Sequence, residues 1–159
     1  TKCGRNRCWH FDSEASRARA AELATQLRKD YSRTRYADYA ALMQARMAVE
    51  ASDYPVAEKH LRELVDTSKD AALQEVARQR LARVLAQQER AEEGLALFAS
   101  PVEGSELKAG REEVRGDLLL ALGRKSEARA AYQAAIEALE DASARPQLQL
   151  KLDDLAEEA

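Results

Sequence analysis

Apolar residues recur along most of the chain at intervals of three and four positions, the spacing of one face of an α-helix. Near the start, the amphipathic stretch 16–29 places four apolar residues on one such face: Ala20, Leu23, Ala24 and Leu27. Near the end, residues 146–157 begin at a proline and carry leucines at 148, 152 and 155. Each patterned segment follows the helical period, and β-branched residues are sparse. We therefore predict an all-α chain without a sheet.

A helical hairpin is predicted for residues 107–142, where apolar positions follow a fixed spacing within a 34-residue unit that starts at Ala109. Small residues hold positions 8, 20 and 27, larger ones hold positions 11 and 24, and glycine holds position 15: Gly116, Ala128, Ala135, Leu119, Tyr132 and Gly123. Small side chains let two helices approach closely, and the larger ones fill the space between them. Gly123 is expected at the turn, because a positive φ is accessible at low cost without a Cβ.

The same positions can be traced in two earlier units. Thirty-four residues earlier they hold Ala82, Leu85, Glu89, Gly94, Phe98 and Pro101. Thirty-seven residues before that they hold Ala45, Ala48, Ser52, Ala57, Leu61 and Leu64. In the middle unit Glu89 replaces the turn glycine and Pro101 replaces the last small residue. We therefore expect the second helix of that unit to stop near residue 99.

This spacing resembles that of the tetratricopeptide repeat. The resemblance implies an all-α, tetratricopeptide-repeat-like superhelix of helical hairpins with a capping helix at its C-terminal end. Three hairpins are expected, at residues 37–66, 71–99 and 107–142, flanked by helices at 14–30 and 146–157. Residues 1–13 are expected to lie outside this domain, as a disordered or adventitious end.

Tetratricopeptide arrays bind partners on an inner surface formed by the first helix of each hairpin, and the resemblance implies which residues line it here. They hold positions 2, 5, 9, 12 and 13 of each unit: Tyr39, Leu42, Arg46, Val49, Glu50, Val76, Gln79, Arg83, Ala86, Gln87, Gly110, Glu113, Asp117, Leu120 and Ala121. Arg46 and Arg83 share position 9, where arginine can bind a carboxylate through two hydrogen bonds, and Asp117 holds it in the third unit. The alternative is that these three residues only pair with neighbours across the groove.

Three segments resemble a narrower family: RLARVL from residue 80, RGDLLLALG from residue 115 and QLKLDDLA from residue 149. They are similar to the YfgM-like proteins, ancillary subunits of the SecYEG translocon, over roughly residues 16–156. Members carry one transmembrane helix before a periplasmic domain, so the resemblance implies that this sequence is a periplasmic domain at the inner membrane. It also implies that the partners are the SecYEG translocon and the chaperone PpiD.

Composition and charge exclude several other classes. Hydrophobic residues make up 45% and charged residues 33%, with only 3 Pro and 6 Gly, which favours a folded helical chain. No stretch reaches the roughly 18 apolar residues of a membrane-spanning helix. The first 50 residues carry ten Lys or Arg against six Asp or Glu, but no basic run is interleaved with aromatic residues. A nucleic-acid partner is therefore not expected.

No sequence motif indicates catalysis or a cofactor. The glycines are dispersed, without a phosphate-binding loop or a nucleophile motif. Cys3 and Cys8 precede the first helical pattern, and three alternatives stay open: a local disulfide, part of a metal site with His10, or an adventitious end. A closed zinc site needs four ligands, and the other histidine, His60, lies far along the chain. We predict a non-catalytic protein that needs neither metal nor cofactor.

Two classes of function remain. The first is a protein-binding module. The second is a structural scaffold that forms homodimers or larger assemblies in the cell envelope, because residues 16–29 have no visible hairpin partner and could be exchanged between chains.

Overall fold

The computed structural model describes residues 14–32, 34–139, 141 and 145–157, and within these ranges it contains eight helices and no strand. The helices are α1 (Glu14–Asp30), α2 (Arg35–Glu50), α3 (Tyr54–Thr67), α4 (Ala71–Gln87), α5 (Ala91–Ala96), α6 (Ser105–Ala121), α7 (Lys125–Ala138) and α8 (Pro146–Glu157). The predicted all-α class is confirmed. In these ranges no helix has both the length and the apolar character needed to cross a membrane. The expectations for residues 1–13, including Cys3, Cys8 and His10, fall outside the described residues.

The helices pack in the order in which they follow along the chain. α2 packs on α3, α4 on α5 and α6 on α7, while α4 also contacts both α2 and α6. The first helices of the three hairpins therefore lie side by side. α1 packs on α2, and α8 covers α7 at the other end. This is the predicted tetratricopeptide-like array with a capping helix.

The turns inside the three hairpins share one backbone geometry. Position 15 of the units has a positive φ in each case: 59° at Ser52, 61° at Glu89 and 74° at Gly123. Each of these residues donates its N–H to the carbonyl three residues earlier, and the next residue donates to the carbonyl five residues earlier. This is a Schellman motif, which satisfies carbonyls at the end of the first helix. Only the third turn has the glycine that suits a positive φ.

The third hairpin shows why small residues recur at fixed positions. A Cβ at Gly116 would overlap the ring of Tyr132, so glycine is needed for α7 to lie against α6. Ala128 and Ala135 are fully buried at the same helix crossing. Tyr132 is itself buried, and its hydroxyl donates a hydrogen bond to Asp117 Oδ1 at 2.8 Å.

The terminal helices are covered to different extents. On α8, Leu148 and Leu155 are buried and pack with Leu119 and Tyr132 of the third hairpin. On α1, Ala24 is buried, but Leu23 remains 48% exposed although the pattern placed it on the packed face. The reason is that α1 packs mainly on α2 and reaches α3 through Arg28, which pairs with Glu63, so only a narrow stripe of its surface is covered.

A buried ion pair joins the second hairpin to the third. The side chains of Glu75 and Arg111 are only 2% and 5% exposed, and Arg111 Nε donates to Glu75 Oε1 at 2.9 Å. A second bond joins Arg111 Nη2 to Glu75 Oε2. Arg111 also donates to the carbonyl of Ser100 and lies over the ring of Phe98, 5.4 Å from its centroid. The pair therefore holds α4, α6 and the loop that follows the short α5.

The glutamate in the second turn generates a stability prediction. We expect Glu89→Gly to raise the free energy of unfolding by roughly 0.5–1 kcal/mol, because glycine adopts the left-handed conformation without a Cβ clash. Gly123→Ala should lower it by about 1 kcal/mol for the same reason. Urea unfolding followed by circular dichroism measures both. If Glu89→Gly leaves stability equal or lower, the turn is not strained.

The buried ion pair generates a second prediction. Glu75→Gln should lower the free energy of unfolding by about 3–5 kcal/mol, because Arg111 then keeps a buried charge without a counterion. Replacing both residues with methionine should recover most of that loss, since the apolar pair removes the uncompensated charge. Urea unfolding of the single and double variants tests this. A loss below about 1 kcal/mol in Glu75→Gln would contradict the assigned role.

Candidate protein-binding groove

A groove of about 510 Å³ lies between α2 and α4, and it contains part of the surface that the repeat positions predict. Five of the predicted residues line it: Arg46, Val49, Glu50, Arg83 and Gln87. The other lining residues come from the same two helices and from α3: Ala45, Tyr54, Leu61, Arg80 and Val84. We call this surface the arginine groove.

Charge in the arginine groove is predominantly positive. Arg46 donates from Nε to Glu50 Oε1 at 2.7 Å, a pair within α2. Arg80 and Arg83 make no ion pair or hydrogen bond with any part of the chain that the structure describes. The pKa of Arg80 is lowered, first because the groove partly desolvates its guanidinium and then because Arg46 and Arg83 repel its charge. The groove therefore concentrates positive charge that the described part of the chain does not fully neutralise.

The floor of the arginine groove is apolar. Ala45, Leu61 and Val84 belong to the core formed by α2, α3 and α4. They also line the groove, so the core supplies its base. Val49 is 40% exposed and offers apolar surface to the opening. An occupant can therefore bury an apolar side chain beside the guanidinium groups.

The remaining predicted residues on α2 and α4 differ in accessibility. Tyr39 is half exposed, on the same helical face as Arg46. Leu42 is only 8% exposed because it packs into the core, so it offers little contact surface to a partner. Gln79 donates to Glu75 Oε1 and to the carbonyl of Leu107, which assigns its amide to the α4–α6 contact. Val76 and Ala86 are partly buried in helix packing.

On α6 the acidic positions of the predicted surface are engaged by the capping helix α8 and by Arg145, which directly precedes it. Lys151 donates to Glu113 Oε1 at 3.1 Å and to Asp117 Oδ1 at 2.6 Å, and Arg145 donates to Glu113 Oε2 at 2.9 Å. Burial would raise the pKa of Glu113, but the hydrogen bonds and charges of Lys151 and Arg145 outweigh it and lower that pKa. These contacts leave Glu113 and Asp117 little capacity to bind a partner.

The other predicted residues on α6 differ in their exposure to solvent. Gly110 is buried, and a Cβ there would meet the amide of Gln79. Leu120 and Ala121 are exposed near the end of the helix. The alternative of pairing with neighbours therefore describes Asp117, which binds Lys151 of α8. Arg46 pairs along its own helix, and Arg83 has no partner among the described residues.

Sequence reasoning missed Arg80, Tyr54 and Val84 in the arginine groove. Arg80 stands three positions before Arg83, so helical spacing alone places both on one face. Tyr54 begins α3, and no helical repeat position predicts that it reaches the α2–α4 surface. Within the described ranges, no group of three or more His, Cys, Asp and Glu side chains is placed to hold a metal ion.

Comparison with known proteins gives consistent results. The profile of the family described as tetratricopeptide repeat-like domain matches residues 10–157. An ancillary SecYEG translocon subunit of Neisseria gonorrhoeae is 37% identical over 136 residues, which cover 85% of this chain and 64% of that protein. The ancillary SecYEG translocon subunit of Aggregatibacter actinomycetemcomitans is 34% identical over 137 residues, with 85% and 65% covered. The chain thus spans just under two thirds of these relatives. No solved structure matches significantly.

The contacts of the capping helix generate a prediction that depends on pH. Lys151→Met should lower the free energy of unfolding by about 1–2 kcal/mol at pH 7, because Glu113 and Asp117 lose a cationic partner. The pKa of Glu113 lies below its ordinary value of 4.5 in the folded chain, so its stabilising contribution is present above pH 4.5 and is lost as the pH falls further. The difference between variant and parent should therefore narrow at pH 3–4.

The matched control is Gln147→Met, at an exposed position of the same helix. Urea unfolding at pH 7 and at pH 3 compares the parent with the Lys151→Met and Gln147→Met variants. A Lys151→Met difference that stays constant between pH 7 and pH 3 would mean that its cause is packing and not charge.

Proposed function

The chain belongs to the family of tetratricopeptide repeat-like domains, and from that premise we propose that it is a non-catalytic protein-binding module of the Sec translocation system. The observation that carries the proposal is the arginine groove, which combines an apolar floor with two guanidinium groups, of Arg80 and Arg83, that no described residue neutralises. Apolar surface supplies affinity, and charge supplies orientation and selectivity. Such a surface suits recognition of another protein.

The assignment to the Sec system draws on the relatives. Both are named ancillary SecYEG translocon subunits, and their similarity runs over most of this chain. We propose that the partners are the SecYEG translocon and, following the YfgM-like resemblance, the chaperone PpiD. We further propose that the domain works on the periplasmic side of the inner membrane, held there by an anchor of the kind found in that family.

Photocrosslinking in membranes tests the proposal. The anchored protein carrying Arg46→Glu and Arg83→Glu should crosslink to translocon components or PpiD at least about fivefold less than the parent. The reason is that two reversed charges repel an acidic surface that the arginines attract. The domain should keep its melting temperature, because both residues are exposed.

The control is Arg129→Glu, the same charge reversal at an exposed arginine of α7 outside the groove. It should leave the crosslinking yield unchanged. Undiminished yield from the groove variant, at unchanged thermal stability, would mean that the partner docks elsewhere. Crosslinks only between copies of this chain would favour the scaffold hypothesis.

A further inference from the structure

The structure contains an internal example of how its arginines bind a carboxylate. Glu58 of α3 receives hydrogen bonds from Arg62, Arg90 and Gln88. Burial alone would raise the pKa of Glu58, but these donors and the charge of Arg90 lower it to about 2. Glu93 completes the cluster with ion pairs to both arginines. Where Arg62 and Arg90 converge, glutamate carboxylates accept their hydrogen bonds and balance their charge.

The arginine groove gathers guanidinium donors in a similar way, but it has no carboxylate left for Arg80 and Arg83. Arg46, Arg80 and Arg83 line it together, and its single acidic residue, Glu50, is already bonded to Arg46. Arg80 and Arg83 bond to nothing in the described chain. An incoming carboxylate would relieve the repulsion among the three cations and could accept two parallel hydrogen bonds from one guanidinium.

The arginine groove continues into an exposed stripe along α2. Tyr36 and Tyr39 are 68% and 51% exposed, and Met43 is 42% exposed. These residues share one helical face with Arg46, because they precede it at intervals of three and four. Tyr39 lies seven residues before Arg46, which corresponds to about 10 Å along the helix axis. An occupant whose carboxylate lies at Arg46 can therefore place an apolar side chain about 10 Å away, beside Tyr39.

We propose that the arginine groove binds an acidic segment of a partner protein, in which one apolar side chain adjoins the carboxylate and another lies about 10 Å away. The carboxylate meets the guanidinium groups of Arg46, Arg80 and Arg83, which line the groove together. The adjoining side chain rests on Val49 and Val84, and the distant one contacts Tyr39, about 10 Å from Arg46 along α2. This inference rests on the proposed protein-binding function and adds the chemistry of the partner. Charge complementarity selects this occupant, since a neutral apolar peptide would leave the arginines unneutralised.

Fluorescence anisotropy with designed peptides tests the inference. The probe is a fluorescein-labelled dodecamer with an Asp-Asp pair followed by Leu, and with Phe three and seven residues before the first Asp. These spacings give about 10 Å in an extended or a helical peptide, respectively. The expected dissociation constant at 50 mM NaCl is on the order of 1–100 µM. It should rise at 500 mM NaCl, because salt screens the exposed charges.

Two companion peptides separate the contributions of charge and apolar surface. The first carries Asn-Asn in place of Asp-Asp and should bind at least about tenfold more weakly. The second carries Ser in place of Leu and both Phe residues and should also bind more weakly. On the protein side, Arg80→Gln and Arg83→Gln should each weaken binding at least about fivefold, and Arg129→Gln should not. Thermal melts show whether each variant is folded.

Several results would overturn the inference. The first is an Asn-Asn peptide that binds as tightly as the acidic probe. The second is a loss of affinity in Arg129→Gln as large as that in Arg83→Gln. The third is a dissociation constant above 1 mM for the acidic probe. Self-association in analytical ultracentrifugation that Arg80→Gln abolishes would make a second copy the occupant instead. Arginine-dependent binding to phosphatidylglycerol vesicles without peptide binding would make it a membrane surface.

The peptide experiment and the membrane crosslinking test different proposals, so each can reject one proposal and leave the other standing. Peptide binding that depends on Arg80, with crosslinking to translocon components undiminished in the groove variant, would support the acidic specificity and reject the proposed docking surface. Groove-dependent crosslinking, with equal binding of the acidic and amide peptides, would reject the acidic specificity and keep the proposed function.

Discussion

The ion pair between Glu75 and Arg111 is the contact on which the arrangement of the hairpins depends. The second helix of the middle hairpin, α5, has only 6 residues, so it supplies little packing surface between the second hairpin and the third. Arg111 compensates, because one guanidinium bonds to α4 and to the loop at Ser100. A buried charge is stable only while its partner is present, so this contact fixes one position of α6 against α4.

Helix α4 consequently has two faces with different roles. One face carries Glu75 and is held by Arg111, and another carries Arg80 and Arg83 in the arginine groove. At the far end, Lys151 of α8 neutralises acidic residues of α6. The inner surface is therefore basic and open between α2 and α4, whereas its acidic part near α8 is internally paired. For the proposed partner, this asymmetry would favour one orientation along the array.

Periodicity predicted the features that depend on local spacing. The turn at Glu89 could be placed because the 34-residue period holds even where the glycine is missing, and Gly116 could be read as a close contact because large and small positions alternate. Periodicity could not predict which neighbouring helix each helical face packs against. Leu42 was predicted on the inner surface, but it packs into the core, and Glu113 is taken by α8. The buried ion pair was not predicted, although a glutamate at 75 on the same face as Ala82 could have indicated it, since charge on an apolar stripe needs a partner.

The central claim is that partners dock in the arginine groove, and photocrosslinking from single positions tests it most directly. A benzoylphenylalanine at Val49, in the groove, is compared with one at Leu150, which is exposed on α8. In membranes, the anchored protein should give adducts with translocon components or PpiD from position 49 and few or none from position 150. Adducts from position 150 alone, with both variants folded, would contradict the account.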